Sequence, residues 1–277
     1  MHGIYSAKKA NHKSKVRRSN AKFQGMNIVS NKALRKEVDN LLYDDISPSN
    51  VSGRVKLKLE VSVSKDSIYR YIKSIHGRKI EYHRKSIKYK NRSKVKVSKL
   101  EGRVNISKRT KIANDRTRYG HAEGDFIVSG KSGTGILLVV VDRKIRKVYL
   151  RKIVKVSIEN VHKAFLSIQK EYINMKTLTL DNDILFRRHI QLQILLRVKI
   201  YFCNPYHSWE KGTVENTNKY IRRYIKKSSD ISTYTDEYIQ YVQDKLNRRP
   251  MKCLGYNTPE EKHVKYLKRV QKKKEAE

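Results

Sequence analysis

Acidic residues are scarce in this chain, 26 Asp and Glu against 64 Lys and Arg in 277 residues, so their positions carry information. Three stand out. Asp125 lies in the segment GHAEGDFIV, Asp181 follows the strand-like run in TLTLDND, and Glu215 stands near a helix start in GTVENTN. If Asp125 and Asp181 belong to neighbouring strands, and a helix carrying Glu215 crosses the same sheet end, the three carboxylates converge. Such a cluster suits a pair of divalent cations, hard ions that take oxygen ligands. Two ions about 4 Å apart activate an attacking oxygen and stabilise a leaving one, the chemistry of phosphodiester displacement. Each acid also has a structural reading. Glu215 has Lys211 and Lys219 at i−4 and i+4, the spacing of exposed helix ion pairs. Asp181 before Asn182 fits a turn or a cap, and Asp125 fits a strand-end acid with local hydrogen bonds. Spacing alone leaves both readings open.

The surrounding charge favours a polyanionic partner. The formal charge is +38, with 32 Lys and Arg against 9 acids in residues 1–120 and 32 against 17 in residues 121–277. A field of that size attracts nucleic acid, because neutralised phosphates release condensed counterions. Membrane surfaces are also anionic, but no strongly apolar amphipathic helix accompanies the charge. The longest apolar run, Ile136–Val141, is far shorter than the roughly 20 residues of a membrane span. No basic-then-apolar leader opens the sequence, so a cytoplasmic protein is expected. Cys203 and Cys253 alone build neither a disulfide framework nor a zinc site. A general RNA-coating protein accounts for the charge but not for the ordered acidic segments.

The elements that would position the acids follow from periodicity. Gly124–Val128, Gly135–Val141, Lys147–Val154, Thr177–Leu180 and Val198–Phe202 read as five strands. Val161, Phe165, Ile168 and Tyr172 form one helical stripe, and a further helical stretch spans His189–Leu196. Val214, Asn218, Ile221 and Ile225 line another helix, and Ile239, Val242 and Leu246 a third. Three strands followed by helix–strand–helix–strand–helix describe an α/β fold, a mixed five-stranded sheet flanked by helices.

Upstream, Ser47 and Pro48 start a helix carrying Val51, Val55 and Leu59, and Ser64 starts a second with Ile68, Ile72 and Ile75 on one side. The pair reads as a helix-turn-helix whose second helix presents Lys65, Ser67, Tyr69, Arg70 and Lys73 to a DNA groove. An ordinary helical hairpin is the alternative. Between the two regions, basic residues interleave with Tyr82, Tyr89 and Tyr119 as in a linker that tracks a phosphate backbone. The expected organisation is a basic segment at 1–43, the helix-turn-helix at 44–76, a basic linker at 77–119, the α/β core at 120–262 and a basic tail at 263–277.

The segments GHAEGDFIV, TLTLDND and FCNPYHSWEKGTVENTN resemble the three catalytic blocks of bacterial insertion-sequence transposases of the IS-thirty family. The 33 residues between Asp181 and Glu215 fit the spacing of that family, and LNRRPMKCLGYNTPEE resembles its C-terminal signature. ISPSNVSGRVKL with SKDSIYRYI resembles its second helix-turn-helix block, and GRVNISKR with DRTRYGH its approach to the core, so the resemblance covers roughly residues 44–261. It implies a ribonuclease-H-like core shared with retroviral integrases. It further implies metal-dependent cutting of double-stranded DNA at terminal inverted repeats and joining to a target, by a homo-oligomer assembled on DNA. Asp125, Asp181 and Glu215 would be the catalytic metal ligands, with Mg2+ as the ion and Mn2+ substituting. Asn204, His207, Lys211, Lys219 and Arg222 would face the DNA, whereas Trp209, also beside the ends, is expected to fill core. The sequence departs from the family at Ala122, where Trp is usual, at Asp183, where Gly is usual, and at Leu185, often Glu. Asp183 is expected to remove backbone freedom from a tight turn. Relative to the family the start is expected to be shortened near Ile4–Tyr5. A non-catalytic, end-binding remnant of such a transposase, acting as a repressor, is the alternative function.

Overall fold

The strand Ile136–Asp142 is buried at every position, as a strand covered on both faces must be. The structure, a computed structural model, describes residues 6–21, 27–85, 102–130, 133–205 and 207–275. Their contacts divide the chain into two units, Met1–Asn91 with Pro250–Asn257, and Arg92–Arg249 with Thr258–Glu277.

In the first unit, helices α1 (Ala7–Ala21), α2 (Asn27–Ser30), α3 (Lys32–Tyr43), α4 (Pro48–Leu59), α5 (Lys65–Lys73) and α6 (Arg78–Lys85) follow one another. Ser47 caps α4, accepting from the Asn50 N–H at 3.4 Å, and Ser64 caps α5, accepting from the Ser67 N–H at 3.1 Å. Pro48 occupies the first turn of α4, where its missing N–H costs nothing. Val51 and Val55 of α4 and Ile68 and Ile72 of α5 are buried together. The helical core begins earlier than residue 44, because Leu34, Val38 and Leu42 of α3 enter it at i, i+4 and i+8. It also runs past residue 76, since Ile80 of α6 is buried in it. Ile75, expected on the buried side of α5, lies beyond the helix and is exposed. Residues 86–101 of the expected linker lie outside the described residues.

The second unit holds α7 (Lys111–Asn114), β1 (His121–Val128), β2 (Ile136–Asp142), β3 (Val148–Ile153), α8 (Ile158–Glu171), β4 (Thr177–Leu180), α9 (His189–Leu196), β5 (Lys199–Phe202), α10 (Gly212–Tyr224), α11 (Asp236–Asn247) and α12 (Pro259–Glu275). The sheet order is β3-β2-β1-β4-β5. The β1–β2 and β2–β3 pairs are antiparallel, and β1–β4 and β4–β5 are parallel. This is the mixed five-stranded sheet that the strand pattern predicts. Even-numbered β1 positions such as Ala122 share a core with Phe165 and Ile168 of α8, while Ile127 joins Val214 and Ile221 of α10 and Val242 of α11 on the opposite face. Each buried aliphatic side chain contributes about 1.5–3 kcal/mol by leaving water.

Residues 263–275 of the expected basic tail lie in helix α12. Thr258 and Glu261 form a reciprocal capping box, Thr258 N–H donating to Glu261 Oε2 at 2.9 Å and Glu261 N–H to Thr258 Oγ1 at 3.1 Å, with Pro259 in the first turn. His263 and Tyr266 then pack on Tyr119, at ring-centroid distances of 5.9 and 4.1 Å. Among the described residues no helix is long and apolar enough to cross a membrane.

Candidate active site

Sheet register brings the two aspartates together. Glu123 of β1 pairs with Thr179 of β4 in a parallel ladder, so two residues further along, Asp125 and Asp181 stand level. Neighbouring strands are about 4.8 Å apart. The Lys211 ammonium fills the gap, 3.0 Å from Asp125 Oδ1 and 3.4 Å from Asp181 Oδ2. Its third contact is the Gly124 carbonyl, at 3.3 Å. Asp125 Oδ2 accepts from the Asn218 side-chain amide of α10 at 2.7 Å. Asp181 Oδ1 is buried and accepts no hydrogen bond.

The electrostatics follow from this crowding. Burial pushes the Asp181 carboxyl above the usual carboxylate range; Lys211 offsets part of that, and Asp125 and Asp183 add to it. For Lys211, burial alone would release the proton, but Asp125 and Asp181 hold the ammonium charged and its pKa raised. Cys203, at the end of the neighbouring strand, has its thiol pushed up to about 12 by burial.

Glu215 sits one turn beyond Lys211, half-buried on α10, and its side chain makes no hydrogen bond or ion pair with the described residues. Among the described residues no three His, Cys, Asp or Glu side chains converge closely enough to hold an ion. The donor chemistry nevertheless fits a hard cation. Two carboxylates share one ammonium, and the second oxygen of one of them, Asp181 Oδ1, is buried without a partner.

Glu123 orients the helix that carries Glu215. Its side chain is fully buried, with Oε2 accepting from the N–H groups of Thr213 and Val214, both at 3.0 Å, in the first turn of α10. Oε1 accepts from Arg143 Nε at 2.8 Å. A carboxylate at a helix N-terminus satisfies otherwise unpaired donors and complements the helix dipole. Sequence reasoning missed Glu123, although an acid two residues from Asp125 on the same strand face was the available signal. It also missed the contact of Asn218, a polar residue in an otherwise apolar helix stripe.

The remaining expected residues divide. Lys65, Tyr69, Arg70 and Lys73 are exposed along α5, while Ser67 is half-buried with its hydroxyl 3.0 Å from that of Ser64. Lys219 is exposed on α10, and Arg222 donates to the Val128 carbonyl at 3.1 Å. Lys211, expected at the DNA surface, is buried against the aspartates, because only a cation there compensates two adjacent carboxylates. Trp209, expected in the core, is 68% exposed. It belongs to the 3-10 turn Ser208–Lys211, whose hold on the sheet comes from the Lys211 end.

Asn204 is fixed in place. Its N–H and side-chain amide donate to Glu210 Oε2 and Oε1, both at 2.8 Å, and its Oδ1 accepts from Asn105 at 2.7 Å. Burial opposes ionisation of Glu210, but the two Asn204 donors and His207 hold its carboxyl below the usual range. Asp183 caps a short 3-10 turn by accepting from the Leu185 N–H at 2.9 Å, with φ −68°. The turn therefore does not need a glycine there, contrary to expectation. Leu185 packs partly against the core and Ala122 is fully buried within it.

The chain is 38% identical over 237 residues to the transposase of insertion sequence element IS4351 from Bacteroides fragilis, covering 83% of this chain and 72% of that protein. It is 32% identical over 253 residues to the InsI transposase of IS30A from Escherichia coli strain K12, covering 84% of this chain and 65% of that protein. The chain belongs to the IS30 (IS-thirty) family of insertion-sequence transposases. It thus spans just under two thirds of the length of its E. coli relative. No family model matches the chain. Similar solved structures include a chain of the simian T-cell lymphotropic virus intasome bound to the PP2A regulatory subunit B56 gamma, 16% identical, with TM-score 0.41 over 73% of this chain and 68% of that one. Another is the HTLV-2 integrase catalytic core domain in complex with magnesium, 20% identical, with TM-score 0.39 over 50% of this chain and 91% of that one.

Proposed function

We propose that this IS30-family chain is a polynucleotidyl transferase that cleaves double-stranded DNA at the terminal inverted repeats of an insertion sequence and joins the freed ends to target DNA. The observation that carries the reading is the register-matched pair Asp125 and Asp181, with a buried cation already between them. Asp125, Asp181 and Glu215 would hold Mg2+, with Mn2+ able to replace it. The bound ions supply nucleophile activation and charge stabilisation at phosphorus. The protein's own part is positional. Glu123 fixes the start of α10, Asn218 orients Asp125, and Lys211 bridges the two aspartates. Lys65, Ser67, Tyr69, Arg70 and Lys73 of α5 would contact the repeat, and Asn204, His207, Lys219 and Arg222 the DNA near the cut. The chain would act as a homo-oligomer that brings two ends together, in the bacterial cytoplasm at the nucleoid.

The test is cleavage and joining of a labelled inverted-repeat duplex with Mg2+, with Mn2+ and with EDTA. Products are expected with either metal and none with EDTA. Asp181→Asn is expected to lower the rate by roughly 10³-fold or more, the loss of several kcal/mol of transition-state stabilisation. Tight repeat binding without products in either metal would instead support the non-catalytic, end-binding reading.

A further inference from the structure

The only tryptophan in the chain stands in solvent. Trp209 is stacked on His207, with ring centroids 4.4 Å apart and planes 26° from parallel. The His207 side chain is itself 44% exposed. Two stacked rings projecting from a mobile loop would mean little, but this turn is anchored on both sides. Before it, Asn204 is tied to Glu210 and to Asn105. After it, Lys211 is buried between Asp125 and Asp181. The rings are therefore an anchored aromatic platform two residues before Lys211, whose ammonium contacts Asp125 and Asp181.

From this geometry we propose that His207 and Trp209 bind an unpaired base of the DNA strand end beside the scissile phosphate. The proposal rests on the DNA-cleaving reading above and names the form of DNA that the site takes. An internal base of a duplex has both faces covered by its neighbours, so it offers the tryptophan nothing to stack on. A base freed from its pair offers a whole face, and base–aromatic stacking accepts any base because every base has one. Phosphates on either side would be drawn by the basic surface of the chain. The platform thus captures an end that has opened, and leaves the adjoining phosphate at the acids.

Trp209 supplies its own reporter, since the intrinsic tryptophan emission of the full chain comes from this residue alone. The probes are two DNA hairpins of one mixed sequence, one with a blunt end and one with the last few bases unpaired. Both are titrated in EDTA, with occupancy followed separately by anisotropy of a label at the hairpin loop. At equal occupancy the open-ended hairpin is expected to quench the emission strongly and the blunt hairpin little. Trp209→Ala is expected to weaken binding of the open end by roughly 5- to 100-fold and leave the blunt hairpin unchanged. Trp209→Phe is expected to retain most of the affinity. Equal quenching by both hairpins, no quenching by either at full occupancy, or an equal loss for both in Trp209→Ala would overturn the proposal. The readout needs no metal and no cleavage. Selective quenching by a protein that fails to cut would sink the transferase reading alone, and cutting without quenching would sink the platform alone.

Discussion

Glu123 and Asp125 stand two residues apart on one face of one strand, yet their surroundings are opposite. Glu123 has three donors in place, Arg143 and the two N–H groups of α10, and none of its charge is left to spare. Asp125 and its neighbour Asp181 share a single ammonium, and one oxygen of Asp181 is buried without a partner. A satisfied acid holds structure. A crowded, under-satisfied pair is the arrangement on which the proposed metal site rests. Burial and donor count separate the two cases together: Glu123 is fully buried with its donors in place, whereas the Asp125 and Asp181 side chains are 19% and 42% exposed.

The sharpest way to break this comparison is to neutralise each side in turn and measure unfolding by urea. Glu123→Gln strands Arg143 in the interior without its countercharge and is expected to cost about 3 kcal/mol. Asp181→Asn, in contrast, is expected to stay within about 1 kcal/mol of the parent while cleavage is lost. Equal destabilisation by both would show that the second pair is as structural as the first. A smaller effect is expected from Lys211→Gln. Removing the resident cation leaves two carboxylates facing each other, so Mg2+ binding measured by calorimetry should tighten about tenfold, or 1.4 kcal/mol. Unchanged affinity would mean that Lys211 does not occupy the place of a metal. Asn218→Ala removes one hydrogen bond to Asp125 and is expected to slow cleavage about tenfold, in line with a charged hydrogen bond, with little change in the unfolding midpoint.

The gentlest contrast sets the acids against the histidines of the same unit. Burial is the first cause lowering the pKa of His121, His162 and His263; Lys and Arg neighbours add to it for His121, Arg188 for His162 and Lys147 for His263, with Glu159 and Glu260 partly opposing the last two. The folded unit therefore holds them neutral, while the unfolded chain binds their protons. Their contribution is present above the ordinary histidine value of about 6.5 and is lost as the pH falls through it. Unfolding midpoints should drop across that range, and His121→Gln should flatten the slope. An unchanged slope would put the acid sensitivity elsewhere.

Much of this was legible in the residues. Thr177–Leu180 and His189–Leu196 are observed at the bounds that periodicity predicts, and the Ser47 and Ser64 caps sit where their residue types place them. What escaped notice were elements whose apolar stripe is thin. Helix α3 fully buries only Leu34, Val38 and Leu42, and six of the 17 residues of α12 are lysine, so a buried face read as a basic segment in both. The capping box at Thr258 was the overlooked start signal. Trp209 misled in the other direction, because a large apolar residue beside a helix start usually packs inward.

By itself, the sequence determined which chemistry is available: scarce acids at strand and helix ends in a strongly basic chain, periodic enough to build a mixed sheet. Only the tertiary structure decided which acids come together. Asp125 and Asp181 stand level because β1 and β4 pair in parallel with Glu123 opposite Thr179, a register set by packing on both faces of the sheet. Lys211, in the turn before α10, joins them rather than pairing with Glu215 one turn on, because two neighbouring carboxylates at the sheet end repel each other and its ammonium is buried between them. A buried cation compensates both charges.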